Sequence, residues 1–137
     1  MKMRRFAIYP LLLVLAALIL SACAPRQPRI EVETDSVDFG EMINGEIATR
    51  EVRVRNAGDA PLVVEAVSTS CGCTTAILEP MTIQPGETAL LRIEFDSGAH
   101  GPEANGPLTR QVFIASNDPE QTETVVEIKA NVLPPAP

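Results

Sequence analysis

The sequence predicts an all-β protein, a single immunoglobulin-like antiparallel β-sandwich of about seven strands. Three observations support this fold class. Apolar and polar residues alternate with a period of two in several segments, turn-forming residues separate these segments at regular intervals, and no helical periodicity occurs after residue 23. A period of two is typical of strands with one buried face, and short strands at regular spacing are typical of sandwiches.

Residues 1–22 are predicted to be a lipoprotein signal peptide. Basic residues precede an apolar run of about 15 residues, from Phe6 to Leu20, which is short for a membrane span of about 20 residues. The tetrapeptide that ends in Cys23 (Leu-Ser-Ala-Cys) resembles the bacterial lipobox, whose cysteine is acylated, with palmitate for example, after cleavage. An ordinary secretory signal cut elsewhere and an uncleaved transmembrane helix are the alternatives.

Residues 23–29 would then be a lipidated tether that contains two prolines and reaches about 20 Å. It would hold the folded domain close to a bacterial membrane, on the extracytoplasmic side. The domain itself is predicted to span residues 30–133, followed by a proline-rich tail at 134–137 that cannot continue a sheet.

The first predicted strands cover residues 30–34 and 46–56. In the second of them Val52 and Val54 face one way and charged residues face the other: Glu51, Arg53 and Arg55. This pattern is typical of an antiparallel strand with one solvated face. The charged side could be a recognition surface, but alternating charges on a strand more often protect a sheet edge.

Two short features are expected on either side of the 46–56 strand. Phe39 is expected to fill the core and Gly40 to form a turn. After an Asn- and Gly-rich turn, residues 62–69 read as a strand with Leu62, Val64 and Val67 facing inward. The irregular spacing of these three residues predicts a β-bulge.

Beyond the cysteines, three more strands are predicted over residues 88–95, 110–116 and 121–133, with a short extended piece at 81–83. Two of these strands have apolar faces, which comprise Ala89, Leu91, Ile93 and Phe95 in the first and Val126, Ile128, Ala130 and Val132 in the last. Residues 96–108 are rich in Gly, Pro and Asn and are expected to be a long loop.

Charge and composition argue against two classes of ligand. Without the three cations of the signal, 8 Lys and Arg remain against 18 Asp and Glu, a net charge of about −10. No basic stripe is left, so no nucleic-acid partner is expected. The aromatic residues after position 23 are Phe39, Phe95 and Phe113, which is fewer than carbohydrate platforms and base-stacking surfaces usually use.

Several motifs occur in a recognisable order, namely Phe39-Gly40, Asn56-x-Gly58-x-x-Pro61-Leu62, Ser70-Cys71-Gly72-Cys73-Thr74, Pro85-Gly86 and Ser116-Asn117-Asp118-Pro119. With these motifs the chain resembles the bacterial family called domain of unknown function 1573, which is similar to the immunoglobulin-like ASH and HYDIN domains. The resemblance covers about residues 30–133. It implies a β-sandwich that is often exported or lipid-anchored, and it implies no reaction. The 96–108 loop is longer than is usual in the family.

Cys71 and Cys73 are the reactive pair once Cys23 is acylated. Outside the cytoplasm a disulfide between them is feasible but tight. Cα atoms two residues apart on a strand are separated by about 6.5–7 Å, whereas disulfides prefer about 4.4–6.8 Å. Gly72 would let the backbone close this gap. Such a bridge would be strained and easily reduced, which suits redox exchange.

Two other interpretations of the pair stay open. Two thiolates on one face could bind copper or zinc, but zinc normally takes four ligands and only His100 is an obvious third. The pair could instead be a structural turn in which Gly72 supplies an unusual backbone angle. No basic residue lies near the pair in sequence to lower a thiol pKa, and His100, in a glycine-rich loop, is expected to be solvated.

No hydrolytic motif accompanies these residues. The chain has one histidine and no Ser-His-Asp order, phosphate-binding loop or metalloprotease motif. Four oxygen donors could form a calcium site, but their spacing matches no known calcium loop; they are Asp96, Glu103, Asn117 and Asp118.

These observations favour a non-enzymatic envelope lipoprotein that acts as a protein-interaction or scaffold module, anchored in the membrane and bound to an envelope protein partner, without a cofactor. The alternative is a thiol-redox or copper-handling accessory protein that uses Cys71-Gly72-Cys73. No catalytic residue is expected in either case.

The lipobox interpretation predicts the effect of Cys23→Ser. Without the acylated cysteine, the protein should be found in the soluble fraction or should accumulate as an unprocessed precursor, because processing and anchoring both require the thiol. Fractionation and intact-mass measurement test this. A processed Cys23→Ser protein that stays in the membrane would contradict the lipobox.

Overall fold

A computed structural model describes residues 25–135. In this range the chain forms nine strands, and no helix long and apolar enough to cross a membrane occurs. The predictions for the signal peptide and for Cys23 lie outside the described residues. The strands are β1 (Ile30–Val32), β2 (Ser36–Ile43), β3 (Ile47–Asn56), β4 (Leu62–Thr69), β5 (Thr74–Glu79), β6 (Thr82–Ile83), β7 (Thr88–Asp96), β8 (Gly106–Ser116) and β9 (Glu123–Leu133).

The nine strands form two sheets around one core, which confirms the predicted immunoglobulin-like β-sandwich. One sheet has four strands in the order β1-β3-β7-β5, and the other has five in the order β2-β9-β8-β4-β6. Neighbouring strands are antiparallel except for β2 and β9, which are parallel. The strand number exceeds the predicted seven because the sequence pattern does not reveal β2 and β5.

The turn predicted at Gly40 is wrong, although Phe39 is buried as expected. The chain continues as β2 to Ile43, and its register against β9 shifts between Asp38 and Glu41. Gly40 lies in this irregularity with a φ of 73°, a conformation that glycine adopts at little cost. The irregularity interrupts the period of two, so the alternation that would have predicted the strand is lost.

The long loop is also shorter than predicted. Asp96 still belongs to β7, and β8 already begins at Gly106, which leaves residues 97–105 as the connection. Residues 106–108 pair with the end of β9 in spite of their Gly and Pro content.

Alternate residues of the central strands form the core, as predicted. None of them is more than 5 % exposed: Val52, Val54, Ala89, Leu91, Ile93, Phe95, Val126, Ile128, Ala130 and Val132. Burying a large apolar side chain contributes about 1.5–3 kcal/mol, so these positions fix which face of each strand points inward. The predicted bulge in β4 is confirmed by a register shift between Val64 and Ala66.

One end of the sandwich is closed by Asn56, which is fully buried. Its side-chain amide donates to the carbonyl oxygens of Ala60 at 2.8 Å and Ile83 at 2.9 Å, and its Oδ1 accepts from the Gly58 N–H at 3.0 Å. A Cβ atom at Gly58 would lie 2.6 Å from the Arg29 nitrogen. The Asn-x-Gly motif is therefore a packed turn that only glycine fits.

Asp118 closes the same end from the other sheet. Its carboxylate accepts from the N–H groups of Ile30 at 2.8 Å, Glu120 at 2.9 Å and Gln121 at 3.2 Å. Burial acts to raise the pKa of Asp118, but these hydrogen bonds and the nearby Arg29 charge outweigh it and lower the pKa. Asp118 thus caps its own turn and also fastens β1 to it.

The core register predicts the cost of Phe95→Ala. Phe95 is 1 % exposed and lies 5.7 Å from the Phe39 ring, so its removal leaves a cavity. The free energy of unfolding in denaturant should fall by about 3–5 kcal/mol. The control is Ile47→Ala, at a residue that is 63 % exposed, which should cost less than about 0.5 kcal/mol. Equal small effects would contradict the register.

Candidate functional site

The chain crosses from one sheet to the other between β4 and β5, and both cysteines lie in this crossover. β4 ends where Ser70 and Gln111 exchange two hydrogen bonds of 2.9 Å. The Thr69 hydroxyl lies 3.0 Å from the carbonyl oxygens of both Cys71 and Thr74, and the Thr74 N–H donates to the Cys71 oxygen at 3.2 Å. Residues 70–73 are thus a turn whose main chain is fixed on both sides by hydrogen bonds, including those of the Thr69 and Ser70 hydroxyls.

Cys71 and Cys73 are joined by a disulfide with 5.2 Å between their Cα atoms. This separation is below that of an extended strand because the cysteines sit in a turn. The expectation that Gly72 supplies an unusual backbone angle is wrong, since its φ is not positive. A Cβ atom at Gly72 would meet no atom within 4 Å, so the outer side of the turn is open to solvent.

The two sulfurs have different surroundings. Cys73 is 3 % exposed and packs into the hydrophobic core, with its Sγ 3.7 Å from the Thr74 hydroxyl. Cys71 is half-buried, and its Sγ accepts a hydrogen bond from the Cys73 N–H at 3.1 Å. An incoming thiol or metal ion would therefore reach the Cys71 sulfur first.

His100 lies beside the cysteine pair, with its Nε2 3.1 Å from the Cys71 Sγ. The expectation that no basic residue lies near the pair holds in sequence but is wrong in space, because 29 residues separate His100 from Cys71. The His100 ring is exposed, as expected, but it is not simply solvated. The donor atoms of Cys71, Cys73 and His100 all lie within 4.8 Å of one another, so the three side chains could share one metal ion once the disulfide is reduced.

The loop that carries His100 is held by the β2–β3 turn. The buried Ser97 hydroxyl lies 2.9 Å from the carbonyl oxygens of both Ile43 and Glu46 and accepts from the Gly45 N–H at 3.1 Å. A Cβ atom at Gly98 would come within 2.8 Å of the Gly45 Cα. The loop therefore leaves β7 in a fixed direction, tight against this turn.

Asn44 fixes the far side of the loop. Its side-chain amide donates to the Gly101 carbonyl oxygen at 3.0 Å and lies 3.4 Å from the Ala104 oxygen. Sequence reasoning assigned no role to Asn44 or Ser97. The one sequence feature that could have indicated a structural role is that each is a polar residue directly before a glycine.

A cavity of about 380 Å³ adjoins His100 at this end of the sandwich. Phe95 and Leu108 supply apolar lining, and Arg110 lines it beside them. The Arg110 Nε is buried and, among residues 25–135, has no hydrogen-bond partner. Sequence reasoning missed Arg110. Arg110 lies two residues before Val112, so both side chains are on the inward face of β8, where a charged residue is unusual.

The other candidate residues have structural surroundings. The charged face of β3 forms ion pairs within the chain, Arg53 with Glu33 at 2.9 Å and Arg92 with Glu51 at 3.3 Å, all largely exposed. Exposed pairs contribute little to stability, and the face is a solvated surface.

The four oxygen donors considered for calcium divide between the two ends of the sandwich. Asn117 accepts a hydrogen bond from the Val63 N–H, near the start of β4, whereas Asp96 ends β7 beside the crossover.

A profile of the DUF1573 family, whose members are proteins of unknown function, matches residues 30–132. The chain belongs to this family. No curated protein sequence matches it. Among solved structures, a protein of unknown function from Porphyromonas gingivalis W83 is similar, with 28 % identity and a TM-score of 0.72 over 81 % of this chain. The chain spans about half of that protein, 50 % of its length.

Other solved structures, with lower sequence identity, share only the fold with this DUF1573 member. The ASH/PapD-like domain 7 of human CEP192 is 10 % identical, with a TM-score of 0.62, 83 % of this chain covered and 92 % of that one. The Escherichia coli chaperone DraB is 16 % identical, with a TM-score of 0.52, 80 % of this chain covered and 56 % of that one. These similarities agree with the immunoglobulin-like sandwich.

Proposed function

We propose that this DUF1573 protein is a non-enzymatic, lipid-anchored module of the bacterial envelope that binds an extended segment of an envelope protein along the free edge of β5. The observation that carries the proposal is the main chain of β5, where the outward groups of Ala76 and Leu78 have no hydrogen-bond partner within residues 25–135. Strand addition at such an edge is a recurring mode of peptide recognition. The fold similarity to a chaperone is compatible with this role.

The pairing of β5 with β7 determines which groups are free. The Asp96 N–H donates to the Cys73 carbonyl oxygen at 2.9 Å, and this bond sets the alternation of the antiparallel ladder. From Cys73 onward, every second residue of this register forms main-chain hydrogen bonds to β7, namely Thr75, Ile77 and Glu79. Ala76 and Leu78 therefore direct their N–H and C=O groups away from the sheet.

The side chains of β5 also favour a partner. Edge strands are usually protected by charged residues, but β5 carries only Glu79, at its end. Ile77 is 52 % exposed, and Leu90 on the adjacent β7 is 46 % exposed, on the same shallow surface. Glu51 and Glu79 line this surface beside one cation, Arg92. A segment with alternating apolar and basic side chains would complement it.

Other edges are less suited to strand addition. β1 covers the C-terminal part of β3, and the uncovered part carries Arg50 and Glu51. β2 carries Asp38 and Glu41, and β6 has only two residues. Among the described strands, β5 thus combines an edge with a single charged residue and exposed apolar side chains.

The anchor side of the proposal rests on the lipobox at Cys23 and on how the chain enters the fold. Gln27 and Asp59 exchange hydrogen bonds of 2.7 and 3.0 Å, and the Ala57 N–H donates to the Arg29 oxygen at 2.8 Å. Residues 27–29 are therefore part of the folded body, and about four residues are left as a tether. At about 3.1 Å per residue this reaches roughly 12 Å, so the Asn56 end would face the membrane.

Proline substitutions test the edge. Ala76→Pro removes an outward N–H without breaking the bonds to β7, and it should abolish partner binding while the protein stays folded. Thr49→Pro is the matched control, because by the same alternation its N–H also points outward, at the edge of β3.

Binding is measured with a photo-crosslinking residue placed at Ile77, in membranes of cells that make the protein. A bound partner should give a specific protein adduct with this probe.

The expected result is an adduct in the otherwise unchanged protein and in Thr49→Pro, and none in Ala76→Pro at similar thermal stability. If Ala76→Pro retains the adduct, or if the same probe at Ile47 gives it instead, the β5 edge is not the binding surface.

A further inference from the structure

We propose that Cys71, Cys73 and His100 form a three-ligand site for Cu(I) when the disulfide is reduced, and that the disulfide closes this site. The proposal does not rest on partner binding at β5, which lies along the sheet edge. It rests on the position of His100, whose Nε2 is 3.1 Å from the Cys71 Sγ.

The three donor atoms are spaced for a single ion. Metal–sulfur and metal–nitrogen bonds of about 2.3 and 2.0 Å, as in zinc sites, place the donors of a three-coordinate ion roughly 4 Å apart. The donor atoms of Cys71, Cys73 and His100 lie within 4.8 Å of one another. The Cα atoms of the two cysteines are 5.2 Å apart, so rotation about the side-chain torsions would let the sulfurs separate to that distance once the S–S bond opens.

The donor set favours Cu(I). Thiolates are soft ligands that select Cu(I), and imidazole binds copper as well. Zinc in structural sites takes four protein ligands, and within residues 25–135 the cluster has three. Two thiolates and one neutral imidazole around Cu(I) leave a single negative charge, which the solvent beside the exposed His100 can hydrate.

The redox step requires a dithiol reductant. A dithiol gives two electrons and two protons to the disulfide, so that Cys71 and Cys73 become thiols and the reductant becomes a disulfide. Cu(I) then replaces the two thiol protons, which are released to water. In the oxidised protein the sulfurs are bonded to each other and offer no thiolate. Access is through the half-buried Cys71, since Cys73 is 3 % exposed.

The loop contacts hold the third ligand in place. The main chain on either side of His100 is tied to the β2–β3 turn by hydrogen bonds that do not involve the disulfide, from Ser97 to Ile43 and from Asn44 to Gly101. On the proposed anchor geometry this end is distal to the membrane, because Asn56 and Asp118 occupy the other end of β4. A soluble copper donor could reach it there.

The experiment is an anaerobic competition for Cu(I) between the full-length protein and a chromophoric Cu(I) chelator, with X-ray absorption on the loaded protein. Protein reduced with dithiothreitol and then freed of it should bind one Cu(I) per chain in three-coordinate geometry. The oxidised protein should leave Cu(I) on the chelator. His100→Ala should weaken binding by about 10–100-fold or more and give two-coordinate Cu(I).

Glu103→Ala is the matched control on the same loop and should bind as the unsubstituted protein does. Thermal unfolding of each variant shows that the fold is kept, which the exposure of both side chains favours. The proposal is overturned if His100→Ala changes neither affinity nor coordination, if the oxidised protein binds Cu(I) equally, or if Zn(II) displaces Cu(I) from the reduced protein.

Discussion

The change of sheet between β4 and β5 is the constraint on which the site depends. β4 pairs with β8 in one sheet and β5 pairs with β7 in the other, so residues 70–73 must turn at the end of the sandwich. This turn points one sulfur into the core and leaves the other at the surface. The same turn sets the alternation of β5 and so decides which of its main-chain groups are free.

The polar groups at the two ends of the sandwich differ in their surroundings. At one end, buried Asn56 and Asp118 satisfy the main-chain groups of the turns and fasten the entering chain. Polar side chains survive burial there because each has several hydrogen-bond partners. At the other end, the crossover, the His100 loop and Arg110 leave donor atoms and a cavity accessible. Stabilising and reactive polar groups are thus separated along the length of the strands.

The sequence predicts the core well because burial imposes a period of two. The inward residues of β7 and β9 and the bulge in β4 are read directly from this alternation. β2 is not, because the irregularity at Gly40 interrupts the period, and β5 is not, because its half-exposed edge gives too short and mixed a pattern. Propensity also fails at residues 106–108, where strand pairing overrides Gly and Pro.

The candidate site is only half predictable. The cysteine pair is visible in sequence, since two thiols one residue apart stand out from the alternating pattern around them. The position of His100 is not, because it depends on long-range contacts: Ser97 with the β2–β3 turn, Asn44 with Gly101, and a close approach of Gly98 to Gly45. None of these contacts has a periodic signature, and the loop composition alone indicates a solvated segment.

The juxtaposition of His100 and the cysteine pair is tested most directly by nuclear magnetic resonance of the His100 ring in untagged protein. The chain has one histidine, so its ring protons give an unambiguous signal. If the ring touches Cys71, opening the disulfide with dithiothreitol should shift this signal while core methyl resonances near Asn56 stay in place. An unmoved ring signal, while the thiol count rises by two, would contradict the account.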